Sequence, residues 1–115
     1  QLSEAGLVDV YATGDATESV SVLDAILNMT CAEPVGVMMN TYNVPATEMA
    51  AILPCRDRGK VYFFNMATDF ARAALGCEGI GRDVDLLIGN GYARDHAEIT
   101  LDLVRKYEVV QSLLG

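Results

Sequence analysis

Gly59-Lys60-Val61-Tyr62-Phe63-Phe64-Asn65-Met66-Ala67-Thr68 decides how this chain folds. A glycine suits the end of a turn. The β-branched and aromatic run after it reads as a buried parallel strand, and the small polar cluster reads as the loop at its carboxyl end. Ligands of open α/β sheets bind at the carboxyl ends of strands, so residues 65–68 are the first place to look for function.

Working outward, strands are also expected at 7–11, 35–40 and 84–88. Residues 35–40, Val-Gly-Val-Met-Met-Asn, lack polar alternation, which implies that both faces are covered. Helices are expected between the strands. Ser19 is placed to cap the first, which runs to about Met29. Pro45 suits the first turn of the second, with Glu48 near its positive end and Met49, Ile52 and Leu53 toward the sheet. Thr68 or Asp69 caps a third, which the glycines at 76, 79 and 81 break up. Asp95 and Glu98 form a D-x-x-E capping box for a long final helix. The order β-α-β-α-β-α-β-α predicts an α/β fold: a partial Rossmann-like three-layer sandwich with four mainly parallel strands and flanking helices.

Composition narrows the function classes. The chain has 115 residues, 51% of them hydrophobic, enough for a core in one domain or part of one. No apolar run approaches the ~20 residues of a membrane helix, and no basic n-region marks a signal peptide. The formal charge of −8 disfavours nucleic acid and anionic membrane surfaces as partners. Cys31, Cys55 and Cys77 are widely spaced and read as reduced, buried thiols of a cytoplasmic protein. With a single histidine they form no recognisable metal-ligand set.

Among chemistry-bearing motifs, Gly79-Ile80-Gly81 and Gly89-Asn90-Gly91 match neither a dinucleotide fingerprint nor a P-loop and read better as tight turns. His96 reads as structural before catalytic, Cys77 beside Glu78 is a weak nucleophile pair, and Asp83 and Asp85 read as solvated. Two polar clusters remain, residues 40–43 after the second strand and 65–68 after the third. If those strands are neighbours, the loops face one another. Their amides and hydroxyls could then bind a planar carboxamide, or serve as turn and cap chemistry alone.

Several segments together carry a resemblance: residues 43–49 (NVPATEM), 61–68 (VYFFNMAT), 73–84 (AALGCEGIGRDV), and 89–92 (GNGY) with His96, Ala97 and Glu98. They resemble the carboxyl-terminal part of the L-erythro-3,5-diaminohexanoate dehydrogenase family, medium-chain-dehydrogenase-like enzymes of lysine fermentation. Asn65 departs from the family's F-F-S-M-A-T strand end, and Cys77 stands where a small residue is expected. The resemblance implies an enzyme that uses NAD or NADP to deaminate its small-molecule substrate oxidatively, giving 5-amino-3-oxohexanoate and ammonia. It implies that Asn40, Thr41, Asn43, Val44, Asn65, Met66, Ala67 and Thr68 bind the nicotinamide end of the cofactor. It assigns no catalytic base.

The glycine fingerprint of a first βαβ unit is absent from residues 1–115. On the Rossmann order 3-2-1-4-5-6 these residues supply strands 3, 4, 5 and 6 of a longer protein. Alone they are expected to be inactive. A homo-oligomer of the full-length protein is expected, paired through the edge at 84–88 with residues 90–92 beside it. The rival readings are another medium-chain dehydrogenase and a non-enzymatic α/β interaction module.

Overall fold

A computed structural model describes residues 6–89 and 93–114. The chain divides into two units, residues 10–90 and residues 1–9 with 91–115.

The first unit holds α1 (Ser19–Met29), β1 (Val35–Asn40), α2 (Glu48–Ile52), β2 (Cys55–Phe63), α3 (Phe70–Gly79) and β3 (Asp85–Ile88). Its strands form one parallel sheet in the order β1-β2-β3. Period-two alternation divides the side chains between the two faces. Met38, Val61 and Leu86 share one row of the inner face. With Phe63 and Ile88 they pack against Ile52 of α2 and Ala73 and Cys77 of α3. Ile52, Val61, Phe63 and Ala73 lose all solvent contact.

The sequence predicts four strands; the described residues hold three. Residues 7–11 form no strand, and Leu7, Val8, Val10 and Tyr11 all stand exposed. A β-rich sequence forms a strand only where a ladder accepts it, and among the described residues β1 pairs with β2 alone. The three-layer expectation is corrected in the same way. Helices α2 and α3 cover the inner face, while Val37 and Met39 on the outer face are 64% and 65% exposed. Phe64 and Leu87 lie on that outer face too and are also exposed. Tyr62 stacks on Phe64 there, ring centroids 6.1 Å apart.

β2 begins at Cys55, well before the expected glycine turn, because Arg56–Arg58 bulge out within the strand; the register to β1 shifts between Val35 and Val37. Arg58 adopts φ 65° at this irregularity. Gly59 is required there by close approach: a Cβ would lie 2.5 Å from Cys55 Sγ, 2.8 Å from Arg56 O and 2.9 Å from Gly36 O. The Arg82 guanidinium fastens this region, donating to Leu53 O at 2.7 Å and to Cys55 O.

Helix starts differ from expectation in instructive ways. α1 is preceded by Glu18 and has no side-chain cap, so Ser19 is its first residue and not its cap. Pro45 lies outside α2, which starts at Glu48 after Ala46 has taken φ 66°. Asp69 does cap α3, accepting from Arg72 N at 3.1 Å. α3 runs on through Gly76 to Gly79, and Gly76 lies against the Met49 side chain. The chain then leaves through Gly81 at φ 64°.

The expectation of buried thiols holds for Cys55 and Cys77 and fails for Cys31, which is exposed beyond the end of α1 at φ 56°. Burial pushes the Cys55 thiol up from its ordinary range, partly offset by Arg82 and Arg56. Burial also raises Cys77, with neighbouring Cys55 adding to the effect and Arg82 opposing it. Fewer thiolates mean slower alkylation. Iodoacetamide followed by mass spectrometry should therefore label Cys31 in the folded chain, and Cys55 and Cys77 only in denaturant.

The second unit contains α4 (His96–Lys106) and α5 (Glu108–Leu114), which pack on one another. The expected capping box does not form: Asp95 takes φ 61° and its side chain caps nothing. The expected single helix breaks at Tyr107, which is extended. Gln111 Nε2 donates to Val104 O at 2.7 Å across the break. Residues 90–92, assigned to an oligomer edge, lie outside the described residues.

Candidate functional site

The carboxyl ends of β1 and β2 lie side by side, with Asn40 paired to Phe63. The two polar loops therefore follow neighbouring strands, as the fold reading requires. Their hydrogen bonds show what the polar residues do there.

Asn40 is buried and fully engaged. Its Nδ2 donates to Thr47 Oγ1 at 3.0 Å, and its Oδ1 accepts from Tyr42 N at 3.0 Å. Its backbone oxygen accepts from Phe64 N at 2.9 Å and from Asn65 Nδ2 at 3.2 Å. Asn65 is buried as well, and its Oδ1 accepts from Ala67 N at 2.9 Å and from Thr68 Oγ1 at 2.8 Å. Asn43 Oδ1 accepts from Met66 N at 2.7 Å, a second tie between the loops. Thr47 Oγ1 donates to Val44 O at 3.2 Å, closing the β1 loop on itself.

The eight sequence-predicted residues thus divide by burial. Asn40 and Asn65 form the interior frame that holds one loop against the other. Ala67, Thr68 and Val44 are half-buried, while Thr41, Asn43 and Met66 are exposed at the same end of the sheet, Met66 by 81%. Beside them a groove of about 220 Å³ runs along β1, lined among others by Ala16, Met39, Thr41, Tyr42 and Ala50.

Sequence reasoning missed Glu48 as part of this frame. It is 2% exposed, and its Oε1 accepts from Asp69 N at 2.9 Å. Its Oε2 is buried and has no hydrogen-bond partner among the described residues. A Glu at a helix start ordinarily faces water, so nothing in the local pattern marks this one for burial.

Of the other candidates, His96 sits on α4 with Nδ1 2.9 Å from Ala93 O. Asp85 forms an ion pair with Lys60 at 2.9 Å, and both are more than half exposed, which limits its worth to about 0–1 kcal/mol. Asp83 is exposed. A second cavity of about 290 Å³ lies between residues 12–16 and α1. Its one acid, Asp15, is held below the usual carboxylate range by hydrogen bonds from the Thr17 hydroxyl and amide. Among the described residues no cluster of His, Cys, Asp and Glu could hold a metal ion, and no helix is long and apolar enough to cross a membrane.

No protein-family profile matches the chain. Two curated proteins do. L-erythro-3,5-diaminohexanoate dehydrogenase of Acetoanaerobium sticklandii is 47% identical over 112 residues, 97% of this chain and 33% of that enzyme. The protein of the same name from Fusobacterium nucleatum is 48% identical over 101 residues, 88% of this chain and 29% of its own length. The chain thus spans about a third of the length of the curated relatives it matches. Over nearly all of its residues, the chain is similar to L-erythro-3,5-diaminohexanoate dehydrogenase.

Proposed function

We propose that these residues are part of an NAD(P)-dependent dehydrogenase that deaminates L-erythro-3,5-diaminohexanoate oxidatively to 5-amino-3-oxohexanoate and ammonia. The observation that carries the proposal is the 47% identity across 97% of the chain. Its geometric support is the pair of linked loops at the carboxyl ends of two parallel strands, where α/β enzymes bind nucleotides.

The residues present fit the nicotinamide end of such a cofactor and not its phosphates. Asn40 and Asn65 use their amides to hold the loops together. That leaves exposed Thr41 and the Met66 side chain, beside Asn43 whose Oδ1 is already bonded to Met66 N and half-buried Val44, Ala67 and Thr68, as the surface offered to a ligand. A glycine-rich phosphate turn is not in this sequence. A nicotinamide held beside Thr41 and Met66 would supply a hydride acceptor for the amine-bearing carbon of the substrate, leaving an imine open to hydrolysis by water.

In this reading the chain's contribution is orientation. Effective alignment of two reacting groups is worth several kcal/mol, on the order of 7–11 in the best cases. A loop held by buried side-chain amides keeps its shape without a bound ligand. The open outer face of the sheet and the unpaired edge of β1 fit a chain that packs against further protein of the same enzyme.

The test is amine-dependent reduction of NAD⁺ or NADP⁺ by the longer protein that contains these residues. Turnover of 3,5-diaminohexanoate with ammonia release is expected; turnover of a different alcohol or amine instead would favour another medium-chain dehydrogenase. The 115 residues alone are expected to bind neither dinucleotide tightly by calorimetry.

A further inference from the structure

The two strand-end loops are joined by a ring of buried contacts. Asn65 bonds Asn40, and Asn40 bonds Thr47. Glu48 follows Thr47 and bonds the amide of Asp69, which follows Thr68 at the far end of the Asn65 loop. Glu48 therefore closes the ring. It does so at a cost to the fold, because its second oxygen is buried without a partner among the described residues. An unsatisfied buried acceptor destabilises, and a hydrophobic side chain of similar size is often better tolerated in such a place.

We propose that Glu48 is a positioning residue for the 65–68 loop, fixing its exit by holding the Asp69 amide while contributing little to global stability. That this loop receives the nicotinamide rests on the dehydrogenase reading; the clamp itself does not. Gln at the same place keeps an oxygen for the Asp69 amide. Leu removes both oxygens and with them the orphan.

Amide hydrogen exchange on the whole chain, read residue by residue, tests this. In Glu48→Leu the amide of Asp69 should exchange about tenfold faster, the loss of one hydrogen bond, while Val61 and Phe63 exchange as before and the urea midpoint is unchanged or higher. Glu48→Gln should restore slow exchange at Asp69. In the dehydrogenase, Glu48→Leu should lower kcat and Glu48→Gln should recover it.

A general rise in exchange that includes Val61 and Phe63 would make Glu48 merely structural and overturn the proposal. So would wild-type exchange at Asp69 in Glu48→Leu. Failure of Glu48→Leu to fold would overturn it too, because a residue that contributes little to global stability is dispensable for folding, and so would fast exchange at Asp69 in Glu48→Gln. Absence of any turnover in the unsubstituted enzyme would count against the dehydrogenase reading alone, because the exchange result stands without it.

Discussion

Phe63→Ala is expected to destabilise the 10–90 unit by about 3–5 kcal/mol, the range for deleting a large aromatic side chain from a packed core. Phe63 is fully buried and lies between strands on both sides, paired with Asn40 on β1 and Ile88 on β3. The buried core is small: Ala51, Ile52, Cys55, Val61, Phe63, Ala73 and Cys77. Domains of this size are stable by only about 5–15 kcal/mol, so the loss removes a large share. Urea denaturation should show a much lower midpoint. A midpoint within experimental error of wild type would mean that Phe63 is not the centre of the core.

Asn65→Asp is expected to destabilise the same unit by about 2–4 kcal/mol at neutral pH and to loosen the loop it organises. The substitution keeps the oxygen that Ala67 N and Thr68 Oγ1 bond, and changes only the other arm of the amide. That arm donates to Asn40 O at 3.2 Å and lies 3.5 Å from Asn40 Oδ1. A carboxylate places a negative oxygen against both acceptors. The folded state then favours the protonated acid, so the new group's pKa rises on folding. The deficit is full above the folded pKa and shrinks as pH falls through it toward the ordinary carboxyl range near ~4. Stability curves measured across that window should converge on wild type at the acid end. A deficit independent of pH would show that the Asn65 amide does not face Asn40.

Strands β1 and β2 were legible in the sequence because their patterns are unambiguous. Residues 35–40 and 61–63 carry β-branched and aromatic runs, and the structure makes β1 and β2 of them. Asp69 was legible as a cap because it precedes a helical run with a free first turn. What failed depended on partners outside the local pattern. Residues 7–11 have strand composition and no ladder to join. The run at 35–40 looks buried on both faces, yet Val37 and Met39 meet solvent, since a hydrophobic pattern records what a face can cover and not whether anything covers it. Gly76 looked like a helix breaker and is instead a contact point for Met49.

The site was legible as a place and not as a set of roles. Adjacent strands brought the loops at 40–44 and 65–68 together, as their positions implied. The sequence did not separate the buried asparagines that build the frame from exposed Thr41, Asn43 and Met66. Amides of one residue type serve either purpose, and only burial distinguishes them. Glu48 was legible as a helix-start acid and not as the closing member of the ring, since its partner lies 21 residues on.

The measurement that bears most directly on the account is steady-state kinetics of the longer protein containing these residues, with L-erythro-3,5-diaminohexanoate and NAD⁺ or NADP⁺. Reduced cofactor and ammonia are expected in equal amounts. Met66→Ala, exposed at the loop and remote from the core, is expected to raise the KM for the dinucleotide with the urea midpoint unchanged. A protein that turns over no amine with either dinucleotide, or a Met66→Ala enzyme with wild-type constants for both substrates, would contradict the account.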